Sequence, residues 1–185
     1  MGKLALTGAK PVTGNLLGTA KLAARRDLER KYLLATLEGG IWDDWPGVRS
    51  EAEKFKKRWA AFNDSRFCCL VTNGTHALQL ALEALEIGAG DEVIVPGLTW
   101  QATAAAVCDV NAVPVLVDVD ESTMCIDPKL VEQAVTSRTR AIIAVHLYHR
   151  MADMDKLGRI ARRHGLPIIE DCAHTHGSRW DDRGA

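Results

Sequence analysis

The 185-residue chain lacks an excess of charge of either sign, since 23 Lys and Arg stand against 24 Asp and Glu for a net charge of −1. A nucleic acid or an anionic membrane therefore finds no electrostatic footprint here. Long apolar runs are also missing. No stretch approaches the roughly 18 residues needed to span a bilayer, and the start, "MGKLALTGAKPVTG", offers a short apolar trio rather than a secretory core. The expectation is a cytoplasmic protein whose partners are small molecules or proteins. Cysteine is sparse and odd in number: Cys68, Cys69, Cys108, Cys125 and Cys172. Two are adjacent and several sit inside apolar runs, which argues against a disulfide framework and for reduced core residues.

Several catalytic signatures are absent as well. There is no G-x-G-x-x-G, no G-x-S-x-G elbow and no P-loop, so nicotinamide, α/β-hydrolase and P-loop readings lose their main support. No metal site is expected: "HLYH" (His146, His149) and "HTH" (His174, His176) do not match a helical His-Glu-x-x-His, and Cys172 has no second Cys at zinc-site spacing.

What is present is ordinary globular composition, 47% hydrophobic and 25% charged, at a length suited to one domain. Residues 1–65 read as a helical lead-in. "AKLAARRDLERKYLLATL" (20–37) has apolar residues at helical spacing and stops at Gly39-Gly40. "SEAEKFKKRWAAFN" follows, with Ser50 and Glu53 spaced as a capping box. From residue 66 the pattern alternates. "FCCLVT", "DEVIVPG", "VPVLVDV", "RAIIAVHLY" and "LPIIEDCA" read as strands. Helices lie between them, one opened by Asp127-Pro128 and one closed by Gly165. Continuous Val/Ile/Leu runs separated by helices predict an α/β fold with a mostly parallel sheet covered on both faces.

In such sheets ligands bind beyond the carboxyl ends of the strands. "TNGTHALQLAL" leads from a strand into an apolar helix, where Gly74 permits close backbone approach and the first free N–H groups offer an anion or phosphate site. Simple N-capping by Asn73 or Thr75 is the alternative. Trp100, after the next strand, either packs in a core or interface or stacks on a flat ligand. Asp171, at the end of "LPII", needs a cation or several donors if it is desolvated. A protonated heteroaromatic nitrogen would serve, as would an Arg or the cap of the next turn. A phosphate cradle, a flat aromatic and a carboxylate after different parallel strands together describe a site for pyridoxal 5′-phosphate (PLP).

These motifs, with "GDEVIVPGLTWQATA", "VPVLVDVD" and "IIEDCAHTHGSRW", resemble the DegT/DnrJ/StrS family of PLP-dependent aminotransferases over about residues 35–185. The wording is closest to the branch acting on scyllo-inosose-type cyclitols. The resemblance implies the large domain of the aspartate aminotransferase-like (type I) fold over residues 66–185, incomplete and without its C-terminal domain. It also implies a homodimer, with glutamine or glutamate as amino donor and a keto-cyclitol or keto-sugar as acceptor. By position, Gly74, Thr75 and His76 would lie at the cofactor phosphate, Trp100 on the ring, Asp171 at the pyridine nitrogen and His174 near the phenolic oxygen. His149 stands where the family usually has Gly, on the substrate side. The family's Schiff-base Lys would fall after "GSRWDDRGA" and is not in this sequence, and Lys129 and Lys156, on expected surface helices, do not replace it. The chain alone is expected not to transaminate. The alternatives are a pseudoenzyme or dimerisation partner, or another PLP activity such as a desulfurase or γ-lyase.

Overall fold

The computed structural model describes residues 26–42 and 49–184. Residues 20–25 of the expected first helix and most of "IWDDWPG" lie outside them. The chain divides into two units, residues 1–55 and 56–185. In the first, helix α1 (Arg26–Gly39) places Asp27 and Glu29 in its first turn, where the helix dipole favours them. Gly40, at φ 65°, ends it. None of its residues is buried, and Leu28, Tyr32, Leu33 and Leu37 are all exposed. Helix α2 (Glu51–Phe62) starts as the Ser50 spacing predicts, with the Ser50 hydroxyl accepting from the Glu53 N–H at 3.1 Å.

The second unit is the α/β layer structure. In chain order it holds α3 (Gly74–Ala84), β1 (Glu92–Pro96), α4 (Ala102–Asp109), β2 (Val113–Val117), α5 (Pro128–Ala134), β3 (Thr139–Val145), α6 (Met154–His164) and β4 (Ile168–Asp171). A short hairpin, β5 (Arg179–Trp180) and β6 (Arg183–Gly184), follows. The four longer strands form one parallel sheet in the order β2-β1-β3-β4. β1 and β3 are central, and Val93, Ile94, Val95 and Ala141 through Ala144 are fully buried. That explains their unbroken apolar runs, because a strand covered on both faces has no solvent side to alternate with. No described helix is long and apolar enough to cross a membrane.

The connections position the site. From β1 the chain moves outward to β2, then returns past β1 to reach β3 and β4. Right-handed crossovers therefore put α4 on one face and α5 and α6 on the other. The contacts agree: α3 packs on α4, and α5 packs on α6. The reversal of direction makes β1 and β3 the switch point, where the loops leaving two neighbouring strands diverge and open a crevice. At the opposite end of the sheet, buried Glu92 accepts from the Thr136 hydroxyl at 2.5 Å and from the Arg138 guanidinium. These partners, Thr136 first, hold its carboxyl below the usual range.

Two expectations need correction. "FCCLVT" (67–72) is not a strand: it has no ladder partner among the described residues, and Phe67 is 72% exposed. β-branched and aromatic residues supply propensity, but a strand exists only when another backbone takes up its hydrogen bonds. The cysteines are all free, but only Cys125 is buried, while Cys69 and Cys108 are exposed. His164 is the last residue of α6, and its ring turns sideways to Glu132 of α5 at 2.8 Å. The helix end is made by Gly165, left-handed at φ 66°, whose N–H reaches the Ala161 carbonyl.

Candidate functional site

The start of α3 is built by Asn73. Its extended backbone and side-chain oxygen, which accepts from the His76 N–H at 3.0 Å, cap the helix. That satisfies one of the first-turn donors. The N–H groups of Gly74 and Thr75 have no intrahelical partner, as the first turn of any helix requires. A Cβ built on Gly74 would meet nothing within 4 Å, so the backbone there faces open space. The His76 ring is engaged by the Thr72 hydroxyl.

Past β1 the chain turns through Gly97, and its N–H bonds the Val117 carbonyl at 2.7 Å. Trp100 follows and stands 74% exposed. From β4, the Asp171 Oδ1 accepts from the Ala173 N–H at 3.1 Å, closing a turn, while Oδ2 has no hydrogen-bond partner among the described residues. The His174 Nδ1 accepts from the Tyr148 N–H at 3.4 Å, and the two rings stack with centroids 5.8 Å apart.

These groups come together at the switch point. A cavity of about 420 Å³ is bordered by Gly74 and Thr75 of α3, Trp100 after β1, Tyr148 after β3, and Asp171 and His174 from β4 and its loop. Five of the six residues singled out from the sequence thus face one space. His76 does not border it and instead braces the turn beneath. Tyr148, which the sequence reading passed over, joins both cavity and stack, and its place in the loop directly after a central strand was the available signal. No lysine of the described residues borders this cavity.

The acidic pair Glu170-Asp171 divides its work. Successive residues of a strand point to opposite faces, and Glu170 turns away to the buried ring of His146, with Oε2 3.0 Å from Nε2. The Ala152 N–H donates to His146 Nδ1 at 3.1 Å. Nδ1 is therefore the bare nitrogen, and Nε2 carries the proton it gives to Glu170. The atoms of His146, Glu170 and Cys172 lie within 4.8 Å of one another, the one such group among the described residues with metal-ligand chemistry. The ring is wrongly wired for a metal: a ligating imidazole donates from its second nitrogen, whereas this one accepts there. The Cys172 thiol is also poorly suited. Burial, with the Glu170 and Asp171 charges beside it, pushes it up to about 11.

The loop after β3 is strained. The Arg150 N–H bonds the Leu147 carbonyl at 2.9 Å, and both central residues, Tyr148 at φ 51° and His149 at φ 63°, are left-handed. For a residue with a Cβ this conformation costs about 1–2 kcal/mol, and turns of this kind normally use Asn-Gly. His176 has a settled role, since its ring meets Trp59 edge-on at 5.6 Å.

The parallel sheet with helices on both faces is the α/β fold found in solved aminotransferase structures, and here an anion-compatible helix start, an exposed aromatic and a carboxylate lie around its switch point. Residues 24–185 match the model of the DegT/DnrJ/EryC1/StrS aminotransferase family, and the chain belongs to that family. It is 45% identical, over 186 residues, to an L-glutamine:2-deoxy-scyllo-inosose aminotransferase from Micromonospora echinospora, an alignment that takes in 99% of this chain and 44% of that relative. Among solved structures it superimposes on S. venezuelae DesV in complex with a ketimine intermediate, with a TM-score of 0.85, 41% identity, and coverage of 90% of this chain and 44% of that one. The PLP form of a putative sugar aminotransferase from Streptococcus pneumoniae, Spr1654, matches with a TM-score of 0.75 at 28% identity, covering 85% of this chain and 43% of that one. The chain spans under half the length of these proteins.

Proposed function

We propose that this chain carries the PLP site of an aminotransferase that moves an amino group from glutamine or glutamate to a keto-cyclitol or keto-sugar. The observation that carries the reading is the single cavity bordered by Gly74, Thr75, Trp100, Asp171 and His174. The residues fit the group in three respects. The free N–H groups of Gly74 and Thr75, beside open space at the Gly74 Cα, suit a phosphate, with His76 bracing the turn. Trp100 offers an unused flat face. Asp171 Oδ2 is an acceptor without a donor and matches a protonated ring nitrogen.

When bound, PLP supplies an electron sink for the carbon that loses or gains the amino group. With the cofactor bound, Asp171 would hold the proton on its ring nitrogen, Trp100 would cover the ring and shed water from it, and His174, anchored by the Tyr148 N–H, would offer it a polar group. The donor and acceptor in the name of the Micromonospora echinospora relative support glutamine and an inosose-type cyclitol for the whole protein. The exposed apolar face of α1 supports a homodimer. A second reading is a partner that holds the cofactor without turning it over, since among the described residues no lysine borders the cavity.

The test is a PLP titration followed by tryptophan fluorescence, on the chain and on Asp171→Ala. Losing a charge-assisted hydrogen bond should weaken binding about 10- to 100-fold. Absence of saturable binding, or equal binding by the variant, would refute the reading. Amine formation from glutamine and 2-deoxy-scyllo-inosose separates the transferase from the silent partner.

A further inference from the structure

The structure assigns the cleft between β4 and residues 67–72 to β-strand structure supplied by the rest of the full-length protein. In a parallel ladder, alternate residues point both their N–H and C=O groups at the same neighbouring strand. The Pro167 and Asp171 carbonyls accept from the Ile142 and His146 N–H groups, so the main-chain groups of Ile168 and Glu170 point away from β3. β4 is the last strand of its sheet, and these outward groups have no backbone partner among the described residues. The Cys172 thiol approaches the Glu170 carbonyl at 3.9 Å. Residues 67–72 carry the matching lack, with strand composition and no backbone–backbone hydrogen bond.

Chain handedness puts the two edges on the same side. α3 packs on α4 and shares its face, so a right-handed crossover from residues 67–72 through α3 to β1 runs in the direction of β1 to β2. It therefore starts on the β4 side. β3 already occupies that edge of β1, which sends residues 67–72 out beyond β4. A cavity of about 720 Å³ lies there, bordered by Cys68 and Cys69, by Ile169 and Asp171, and by Ala77 and Ala81 of α3. The small helix residues leave room for the large apolar side chains of a strand covered by a helix. One strand, or two side by side, would take up both edges, which otherwise stand open to pairing with any chain. The occupant belongs to the same protein. The Micromonospora echinospora relative extends well beyond the 44% of it that this chain matches. Gly74, Asp171 and Ala173 border both this cleft and the cavity of the candidate site, so whatever fills the cleft becomes a wall of that site. A wall must be present whenever the site works, which a dissociating partner does not guarantee. The pairing itself does not depend on what the cavity binds.

The experiment co-expresses the 185-residue chain with the part of that relative outside the match, as a separate polypeptide, and follows amide hydrogen exchange residue by residue. In the chain alone, Ile168 and Glu170 should exchange fast while Ile169 and Asp171, bonded to β3, exchange slowly. With the second polypeptide bound, Ile168, Glu170 and alternate residues of 67–72 should slow by about 100-fold or more. Glu170→Pro removes an outward donor, and Ala77→Trp fills the cleft from the helix without touching either edge. Each should weaken association about tenfold or more. Thermal melts show whether each variant folds, and where one does not, the other and the parent's exchange pattern decide. Failure of the polypeptide to co-purify, co-purification with exchange unchanged at β4 and 67–72, or folded variants that retain it as the parent does would each overturn the assignment. Slowing of the same amides in the chain alone as its concentration rises gives the cleft to a second copy and also overturns it.

Discussion

His146 offers the sharpest test of the wiring behind β4. Replacing it with Leu keeps a similar bulk but removes both nitrogens. The Ala152 N–H, on a fully buried residue, then loses its acceptor. An unmade hydrogen bond at a buried donor costs about 1–3 kcal/mol. Glu170 loses a donor too, but its side chain is 37% exposed and can turn to water, so it adds little. The expected loss for His146→Leu is thus about 1–3 kcal/mol in urea unfolding followed by circular dichroism. Glu170→Gln is the control. Its amide oxygen still accepts from Nε2–H, so stability should stay within about 0.5 kcal/mol of the parent. Equimolar zinc should leave both curves unmoved. If His146→Leu is neutral, the Ala152 bond is not what holds this loop. If Glu170→Gln costs as much as His146→Leu, the ring carries a charge and Nδ1 is not the bare nitrogen.

Two other outcomes follow from the caps and thiols. Asp153 caps α6 by accepting from the Lys156 N–H at 2.9 Å, so Asp153→Ala should cost about 1 kcal/mol. Burial alone would raise the Asp153 carboxyl, but the Lys156 ammonium and N–H outweigh it and leave it below its ordinary value. Its contribution is therefore complete above the usual carboxylate range and disappears as pH falls through the depressed value, so parent and variant unfolding curves should converge in acid. With the Cys172 thiol raised to about 11, iodoacetamide at pH 8 should label exposed Cys69 and Cys108 first in a peptide map, and equal labelling of Cys172 would contradict its desolvation.

Much of this arrangement could be read from the chain itself. The central strands announce themselves because burial on both faces demands apolar residues at every position, as in "EVIVP" and "AIIAV". The helix starts at Asn73 and Asp127 and the stop at Gly165 use local chemistry that a sequence states outright. The site was legible to the extent that it follows strand ends. What was hidden depends on partners or torsions. Residues 67–72 have strand composition but no neighbour to pair with. Glu170 and Asp171 look like one acidic unit until the pleat sends them apart. The strain at Tyr148 and His149 is a backbone angle and leaves no mark in residue type, except that neither is Gly or Asn.

The strand order also has a consequence in time. β1 emerges from the ribosome first yet ends inside the sheet, so the sheet grows to one flank with β2 and later to the other with β3 and β4. The walls of the cavity are thus made far apart. At about 5–20 residues per second, roughly a hundred residues separating Asn73 from Asp171 mean that about 5–20 s pass between the first wall and the last. Until then Trp100 stands in water and the start of α3 has nothing to hold. Any ligand of this cavity can stabilise only polypeptides that have been translated past Asp171, so its binding discriminates against chains abandoned before that point.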